Sequence, residues 1–305
     1  MLKILIAGAV SFSKEQLNCI SALEYDITQV KDERIPLKEQ NMACNDFDAV
    51  VCNGLFLYND IKEFTKLKFI QLTSAGYDRV PLDYINENGI RIKNAAGVYS
   101  VPMAEFALCG VLQLYKQSRY FTDCQAKHLW VKHRGLMELY GKAVCIVGCG
   151  NIGTECAKRF SAFGCRVVGV DICMLNKPEY SQIYNLSEIE TALAESDIIV
   201  LTLPLTDKTK NMFNTEMFDS VKDGAVFVNI ARGGIVETNS LVTALKQKLF
   251  GAVIDVFENE PLDEKSLLWD IENLIITPHN CFIGDGNNKR LFELIISNLT
   301  EAVNE

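Results

Sequence analysis

Three residues far apart in the chain carry side chains suited to a single reaction. Arg232 lies just beyond the apolar run ending Asn229-Ile230-Ala231, and Glu260 just beyond Asp255-Val256-Phe257. His279 follows Ile275-Ile276-Thr277-Pro278. Each run reads as a buried strand, and in an open parallel sheet ligands gather beyond the carboxyl ends of the strands. A guanidinium can clamp a carboxylate through its forked donors and polarise the adjacent keto oxygen. An imidazole can deliver or remove a proton near neutral pH. A carboxylate bonded to that imidazole orients it and favours its protonated form. Together these groups suit hydride transfer to a carbonyl. Singly, each has an ordinary structural reading. Arg232 could be a surface residue beside two glycines, Glu260 part of the solvated run Glu258-Asn259-Glu260, and His279 a satisfied core histidine. Their joint position after three successive strands favours chemistry. His128 and His133 sit in a basic stretch with Lys127, Lys132 and Arg134 that reads as a solvated surface.

The partner for such a trio is a bound dinucleotide. Val144-Cys145-Ile146-Val147-Gly148-Cys149-Gly150-Asn151-Ile152-Gly153, followed by Val167-Val168-Gly169-Val170-Asp171, reads as strand, glycine turn, helix, strand and terminal acid. Gly148 permits the tight turn, Gly150 lets a pyrophosphate approach the backbone, and Gly153 lets the helix pack on the strand. The helix N-terminus offers unpaired N–H groups to the phosphates. Asp171, about 20 residues on, can accept from both ribose hydroxyls and repel a 2′-phosphate, which points to NAD.

These groups must be positioned by alternating strands and helices. Before the glycine turn, strands are expected over Lys3–Ala7, Asp48–Cys52, Lys68–Thr73 and Ile90–Asn94. Helices are expected near Lys14–Leu23, Asn59–Lys66 and Pro81–Asn88. A long helix runs from Val101 to about Lys116, with Pro102 in its first turn. Tyr120–Tyr140 holds no strong strand and reads as an arm. Strands then recur at Ala143–Val147, Val167–Val170, Ile198–Leu201, Ala225–Asn229, Ala252–Val256 and Leu274–Thr277. Helices fit Gly150–Phe163, Leu186–Ala194 and Asn239–Gln247, and an amphipathic helix closes the chain. The fold class is therefore α/β with parallel sheets. Six strands after residue 140 suffice for a complete doubly wound dinucleotide fold.

Composition removes other classes. The 305 residues allow one large or two medium domains. A net charge of −9 argues against nucleic acid as a partner, since that needs a basic face. Eleven cysteines without a CxxC pair or a His/Cys ligand spacing give no metal site and no disulfide framework. Cys52, Cys109, Cys145 and Cys156 fall in apolar patterns and are expected to be small buried hydrophobes, as in a reducing cytoplasmic protein. The start, with Ala7-Gly8-Ala9, resembles a leader, but its single Lys3 and short apolar core favour a first strand. No apolar run is long enough for a membrane span, so no membrane partner is expected.

The motifs become specific when taken together. Gly148-Cys149-Gly150-Asn151-Ile152-Gly153, Leu203-Pro204-Leu205-Thr206, Asn229-Ile230-Ala231-Arg232-Gly233-Gly234, Asp255-Val256-Phe257-Glu258-Asn259-Glu260-Pro261 and Thr277-Pro278-His279 resemble the D-isomer-specific 2-hydroxyacid dehydrogenases. Upstream, Thr73-Ser74-Ala75-Gly76-Tyr77-Asp78 and Asn94-Ala95-Ala96-Gly97-Val98-Tyr99-Ser100 resemble the family's substrate-loop and interdomain segments. The likeness runs from about residue 48 to 283. It implies His279 as acid/base, Glu260 as its partner and Arg232 as substrate clamp. It implies backbone contacts to a substrate carboxylate at Ser74, Ala75 and Gly76 and from Asn53 and Gly54, with Tyr99 also near the substrate. On the cofactor side it implies Gly148, Gly150, Asn151, Ile152, Gly153, Asp171, Thr202, Pro204, Thr209, Ala231 and Asp255, the last near the nicotinamide amide.

The resemblance also implies an architecture. A flavodoxin-like substrate domain would comprise residues 1–98 plus 283–305, and an inserted Rossmann NAD-binding domain residues 99–282. Crossings at about 98–101 and 278–284 would form a hinge, and the arm at 118–140 a homodimer element. The expected reaction is NAD-dependent oxidation or reduction between a small 2-hydroxy acid and its 2-oxo acid, without a metal. Departures bear on the substrate: after His279 the chain reads Asn280-Cys281-Phe282-Ile283-Gly284-Asp285 instead of the family's common small-residue run. Little chain follows the last helix, so a 3-phosphoglycerate dehydrogenase-like enzyme would lack the regulatory domain that many such enzymes carry. Glu260 stands where formate dehydrogenases of the superfamily have glutamine, which argues against formate. Two other readings use the same glycine turn: a non-catalytic NADH sensor like the family's corepressor branch, and a methyltransferase, in which the trio has no evident task.

Overall fold

The computed structural model describes residues 1–8, 10–173 and 176–304. Ala9, the last residue of the leader-like triplet, lies outside them. The chain divides into two compact units, Met1–Tyr99 with Gly284–Glu305, and Ser100–Ile283.

The first unit is built on five parallel strands: β1 (Leu2–Ile6), β2 (Tyr25–Gln29), β3 (Ala49–Cys52), β4 (Phe69–Leu72) and β5 (Arg91–Lys93), in the order β2-β1-β3-β4-β5. This is the flavodoxin-like order. The central strands β3 and β4 are buried throughout, as short apolar runs covered by helices on both faces should be. Helix α1 (Lys14–Ser21) starts at a capping box made by Ser13 and Gln16, which meets two otherwise unpaired donors. Helix α2 is Leu82–Glu87. The C-terminal helix, α9 (Asn287–Asn304), returns to this unit and buries Leu291, Ile295 and Leu299 against Ile4, Ile6, Tyr25 and Phe69. Polar contacts fix its register. Asn298 donates to the buried Gln71 at 2.7 Å, and Arg91 donates to the Ala302 carbonyl at 2.9 Å.

In the second unit come α3 (Ser100–Tyr115), α4 (Ser118–Ala126), β6 (Ala143–Val147), α5 (Asn151–Ala162), β7 (Arg166–Asp171), β8 (Gln182–Asn185) and α6 (Ile189–Ala194). These are followed by β9 (Ile198–Leu201), α7 (Thr215–Asp219), β10 (Val226–Asn229), α8 (Thr238–Gln247), β11 (Gly251–Ile254) and β12 (Leu274–Ile276). All seven strands are parallel, in the order β12-β11-β10-β9-β6-β7-β8. Counted from β6, this is the dinucleotide-binding order with one strand added beyond the sixth. A Cβ on Gly110 would come within 2.7 Å of Val253, so glycine lets α3 lie close on β11.

Three expectations need correction. β2 and β8 were not expected; both are edge strands, and β2 buries only Tyr25 while β8 buries nothing fully. An edge strand has little apolar signature. The helix expected over Asn59–Lys66 is a single 3-10 turn, Ile61–Glu63, which ends as Phe64 leaves helical geometry. Among the thiols, Cys52, Cys145 and Cys156 are buried, but Cys109 lies on the outer face of α3 and is exposed.

Candidate active site

The glycine turn joins β6 to α5. Gly148 has φ +100°, and a Cβ there would come within 2.8 Å of the Leu203 backbone, so the turn requires glycine on both counts. A Cβ on Gly153 would meet the Gly148 carbonyl at 2.1 Å, which keeps α5 tight on the turn. Gly150, by contrast, faces open space, and it caps α5 without a side-chain hydrogen bond. The first N–H groups of this twelve-residue helix are thus presented toward whatever approaches Gly150. Asp171 is held in place from two sides: Oδ2 accepts the Cys149 N–H at 2.7 Å and Oδ1 the Cys173 N–H at 2.9 Å. Each oxygen keeps a lone pair for a ribose hydroxyl. These features fit a dinucleotide. Thr202 donates to the Gly148 carbonyl at 2.6 Å, and Thr209 donates to the Pro204 carbonyl at 2.7 Å. Both threonines shape the loop beside the turn. Lys177, missed in the sequence, donates to the Cys149 carbonyl and to Thr154, pinning the turn from its other side. Burial pushes the Cys149 thiol up to about 11, so the cysteine within the turn is a packed, protonated side chain.

Arg232, Glu260 and His279 follow the neighbouring strands β10, β11 and β12. The His279 Nδ1 lies 2.8 Å from Glu260 Oε2, and Glu260 Oε1 accepts the Phe257 N–H at 3.0 Å. The carboxylate is therefore anchored on one oxygen and orients the ring with the other, which leaves Nε2 as the ring nitrogen able to exchange a proton with a ligand. Asn229 sets the Arg232 loop: its amide oxygen accepts from Ala231 N at 3.0 Å and its amide nitrogen donates to the Arg232 carbonyl at 3.1 Å. Arg232 Nη1 in turn donates to the Ala231 carbonyl at 2.8 Å. A Cβ on Gly233 would sit 1.9 Å from the Phe257 backbone, so only glycine lets this loop press against the one carrying Glu260.

His279 itself has φ +51°, the left-handed region that a side chain other than glycine enters at a cost of about 1 kcal/mol or more. Asp255 holds it there. This aspartate is fully buried and accepts from Thr277 Oγ1 at 2.6 Å, Asn280 N at 2.8 Å and Cys281 N at 3.0 Å, while its carbonyl accepts the His279 N–H at 2.8 Å. The expectation that Asp255 lies by the nicotinamide amide gains a second content: both its oxygens are engaged by the loop that carries His279. The bonds from Asn280 and Cys281 come from backbone N–H groups, so this unusual run keeps the loop anchored whatever its side chains. Burial and the adjacent Asp255 raise the Cys281 thiol strongly, which makes it a packing residue.

In the first unit, the loop after β4 has its carbonyls pinned from behind. Ser74 O accepts Ala95 N at 2.8 Å, Ala75 O accepts the Asn94 amide at 2.7 Å, and Gly76 O accepts Ser74 Oγ at 3.1 Å. Tyr99 donates its hydroxyl to the Thr73 carbonyl. In a trans peptide the N–H points opposite to the preceding C=O. The N–H groups of Ala75, Gly76 and Tyr77 therefore turn away from this anchoring and meet no protein acceptor among the described residues. The loop after β3 behaves differently. The N–H groups of Asn53 and Gly54, expected to face a substrate carboxylate, donate instead to Glu33, at 3.0 and 2.7 Å. Neither Glu33 nor Asn94 was singled out in the sequence. Their roles depend on contacts across the fold and have no spacing signature.

No group of His, Cys, Asp and Glu placed to hold a metal ion occurs among the described residues. No described helix is long and apolar enough to cross a membrane. His128 and His133 lie on the arm with Leu129, Trp130, Val131 and Leu136, around an open concavity of about 990 Å³. Trp130 is 96% exposed.

A glycine turn opening α5, an acid closing β7 and a histidine–carboxylate pair on later strand ends define a dinucleotide-dependent oxidoreductase. Residues 108–281 match the D-isomer specific 2-hydroxyacid dehydrogenase, NAD binding domain. A hydroxypyruvate reductase of Thermotoga maritima is 35% identical over 226 residues, 72% of this chain and 72% of that protein. A glyoxylate reductase of Korarchaeum cryptofilum is 31% identical over 242 residues, 77% of this chain and 72% of that protein. The crystal structure of a glyoxylate reductase from Paecilomyes thermophila superposes with a TM-score of 0.85 at 25% identity, covering 100% of this chain and 96% of that one. The chain belongs to the D-isomer specific 2-hydroxyacid dehydrogenase family. It is an oxidoreductase acting on the CH–OH group of a 2-hydroxy acid with a nicotinamide cofactor.

Proposed function

We propose that the chain works as an NADH-dependent reductase of small 2-oxo acids, yielding D-2-hydroxy acids. The observation that carries this reading is the His279–Glu260 pair at 2.8 Å, set by backbone anchors on both residues and flanked by Arg232 on the next strand end. When bound, the nicotinamide supplies the hydride for the keto carbon. His279 Nε2 gives a proton to the keto oxygen, and Glu260 holds the ring in place through Nδ1. Arg232 holds the substrate's carboxylate and keto oxygen and stabilises the negative charge that develops there. To the loop at Ser74, Ala75 and Gly76, with Tyr99 behind it, we assign binding of the substrate carboxylate, because its outward N–H groups lack protein acceptors. Asp171, held by two backbone N–H groups at the end of β7, supports NADH over NADPH, because a carboxylate there would repel a 2′-phosphate.

The arm supports a homodimer. Leu129, Trp130, Val131 and Leu136 are exposed together on one short segment, an apolar surface of the kind a second copy covers. Sedimentation at about twice the 34.1 kDa chain mass is the expected result.

The deciding assay follows NADH and NADPH oxidation against glyoxylate, hydroxypyruvate, pyruvate and branched and aromatic 2-oxo acids. Turnover of a small member with NADH is expected. Tight NADH binding without turnover of any of them would overturn the reading in favour of a sensor.

A further inference from the structure

We infer that Glu33 sets the charge of the substrate, admitting 2-oxo acids with one negative charge and disfavouring those with a second. The inference rests on the proposed reaction and on the substrate meeting the first unit near Asn53 and Gly54, as the family resemblance implies.

The adjacent strands β3 and β4 each end in a loop with consecutive backbone N–H groups. After β4, those of Ala75, Gly76 and Tyr77 meet no protein acceptor among the described residues, so this loop can take one carboxylate. After β3, the equivalent donors of Asn53 and Gly54 are already satisfied by a carboxylate of the chain's own, Glu33, with one oxygen on each N–H. The sheet edge thus has one anion cradle open and one filled from within.

Glu33 is only 9% exposed, and it forms no ion pair with a lysine, arginine or histidine among the described residues; the neighbouring Arg34 is engaged by Asp32. Its oxygens accept from backbone amides, and the nearby Arg34 guanidinium is shared with the carboxylate of Asp32, so the two acids outweigh the one guanidinium and a net negative charge remains at the end of β3. A Cβ on Gly54 would stand 3.4 Å from Glu33 Oε1, so the carboxylate packs directly against this backbone. The side-chain oxygen of Asn53 is also buried without a hydrogen-bond partner. A carboxylate beside an unmet acceptor favours a donor such as a hydroxyl on the substrate's third carbon, and repels a phosphate, sulfonate or second carboxylate.

Oxaloacetate and its monoamide 2-oxosuccinamate have nearly the same shape and differ by one charge, which isolates the effect. Each is measured with NADH as a substrate or as a competitive inhibitor of glyoxylate reduction. The wild type is expected to favour the amide by about tenfold or more. Glu33→Gln should bring the ratio toward unity, whatever its effect on glyoxylate turnover, and Glu33→Asp, which keeps the charge, should retain the preference. A purely structural role for Glu33 would change both compounds alike. A wild-type ratio near one overturns the inference, as does an active Glu33→Gln protein with the wild-type ratio. If Glu33→Gln does not fold, the wild-type ratio and Glu33→Ala decide. Failure of the wild type to reduce any 2-oxo acid would remove the proposed reaction and this inference together, whereas glyoxylate reduction with a ratio near one removes the inference alone.

Discussion

The two sheets present their carboxyl edges in different ways. At the edge of the seven-stranded sheet the candidate groups are side chains, and neighbouring groups hold their loops: the Asn229 amide braces Arg232, the Phe257 N–H braces Glu260, and the Asp255 carboxylate braces the loop of His279. At the edge of the five-stranded sheet the relation is reversed. Side chains of Asn94, Ser74 and Tyr99 pin carbonyls so that backbone N–H groups face outward, while Glu33 fills the neighbouring pair. Proton transfer and charge stabilisation need particular side-chain chemistry, whereas gripping a carboxylate needs only well-aimed amides. Loss of His279 or Glu260 should therefore appear in kcat, and damage to the loop after β4 in KM.

The largest effect is expected from His279→Gln. Glutamine can hydrogen-bond but cannot deliver a proton, so kcat should fall by roughly 10³-fold, within the usual span for general acid catalysis. NADH affinity, read by fluorescence titration, should change less than about twofold, because the turn, α5 and Asp171 are untouched. Turnover near that of the wild type would remove His279 from the reaction and dissolve the contrast between the edges.

A middle-sized effect should follow Asp255→Asn, a positioning change. The amide places an NH₂ group where a carboxylate oxygen now accepts an N–H, leaving Asn280 N or Cys281 N without its acceptor. The loop then loses a hydrogen bond to a charged group, worth about 1.5–3 kcal/mol. The expected outcome is a lower Tm together with a kcat reduced about 10- to 100-fold, as His279 leaves its constrained φ. A drop in Tm with an unchanged kcat would show that Asp255 supports the fold and not the histidine.

How much of this was legible in the sequence follows the same division. The central strands β3, β4, β6, β9 and β10 were readable because burial on both faces leaves mostly apolar runs, interrupted only by Gln71 in β4 and Asn229 at the end of β10. The edge strands β2 and β8 have no such run. Arg232, Glu260 and His279 could be picked out because their chemistry is a property of residue type and each follows a readable strand. Asp171 was found by its place in the βαβ unit, but its bond to Cys149 N, across 22 residues, was not. Glu33, Asn94 and Lys177 escaped altogether. Each acts by bonding to a backbone group on another loop, and no spacing within the sequence records which loop that is.

Asn94→Ala gives the smallest and most discriminating change. It removes the donor to the Ala75 carbonyl at 2.7 Å and the acceptor for Ala96 N at 3.2 Å, and nothing on the edge of the seven-stranded sheet. With that peptide released, the Gly76 N–H loses its fixed aim while the remaining donors of the loop stay in place. One side-chain hydrogen bond contributes about 1 kcal/mol, so KM for the 2-oxo acid should rise about fivefold, with kcat within about twofold of wild type. Steady-state kinetics at saturating NADH separate the two. A loss in kcat with KM unchanged would mean that the loop after β4 acts in the chemical step, and the distinction between a catalytic edge and a gripping edge would fail where it is most exposed to test.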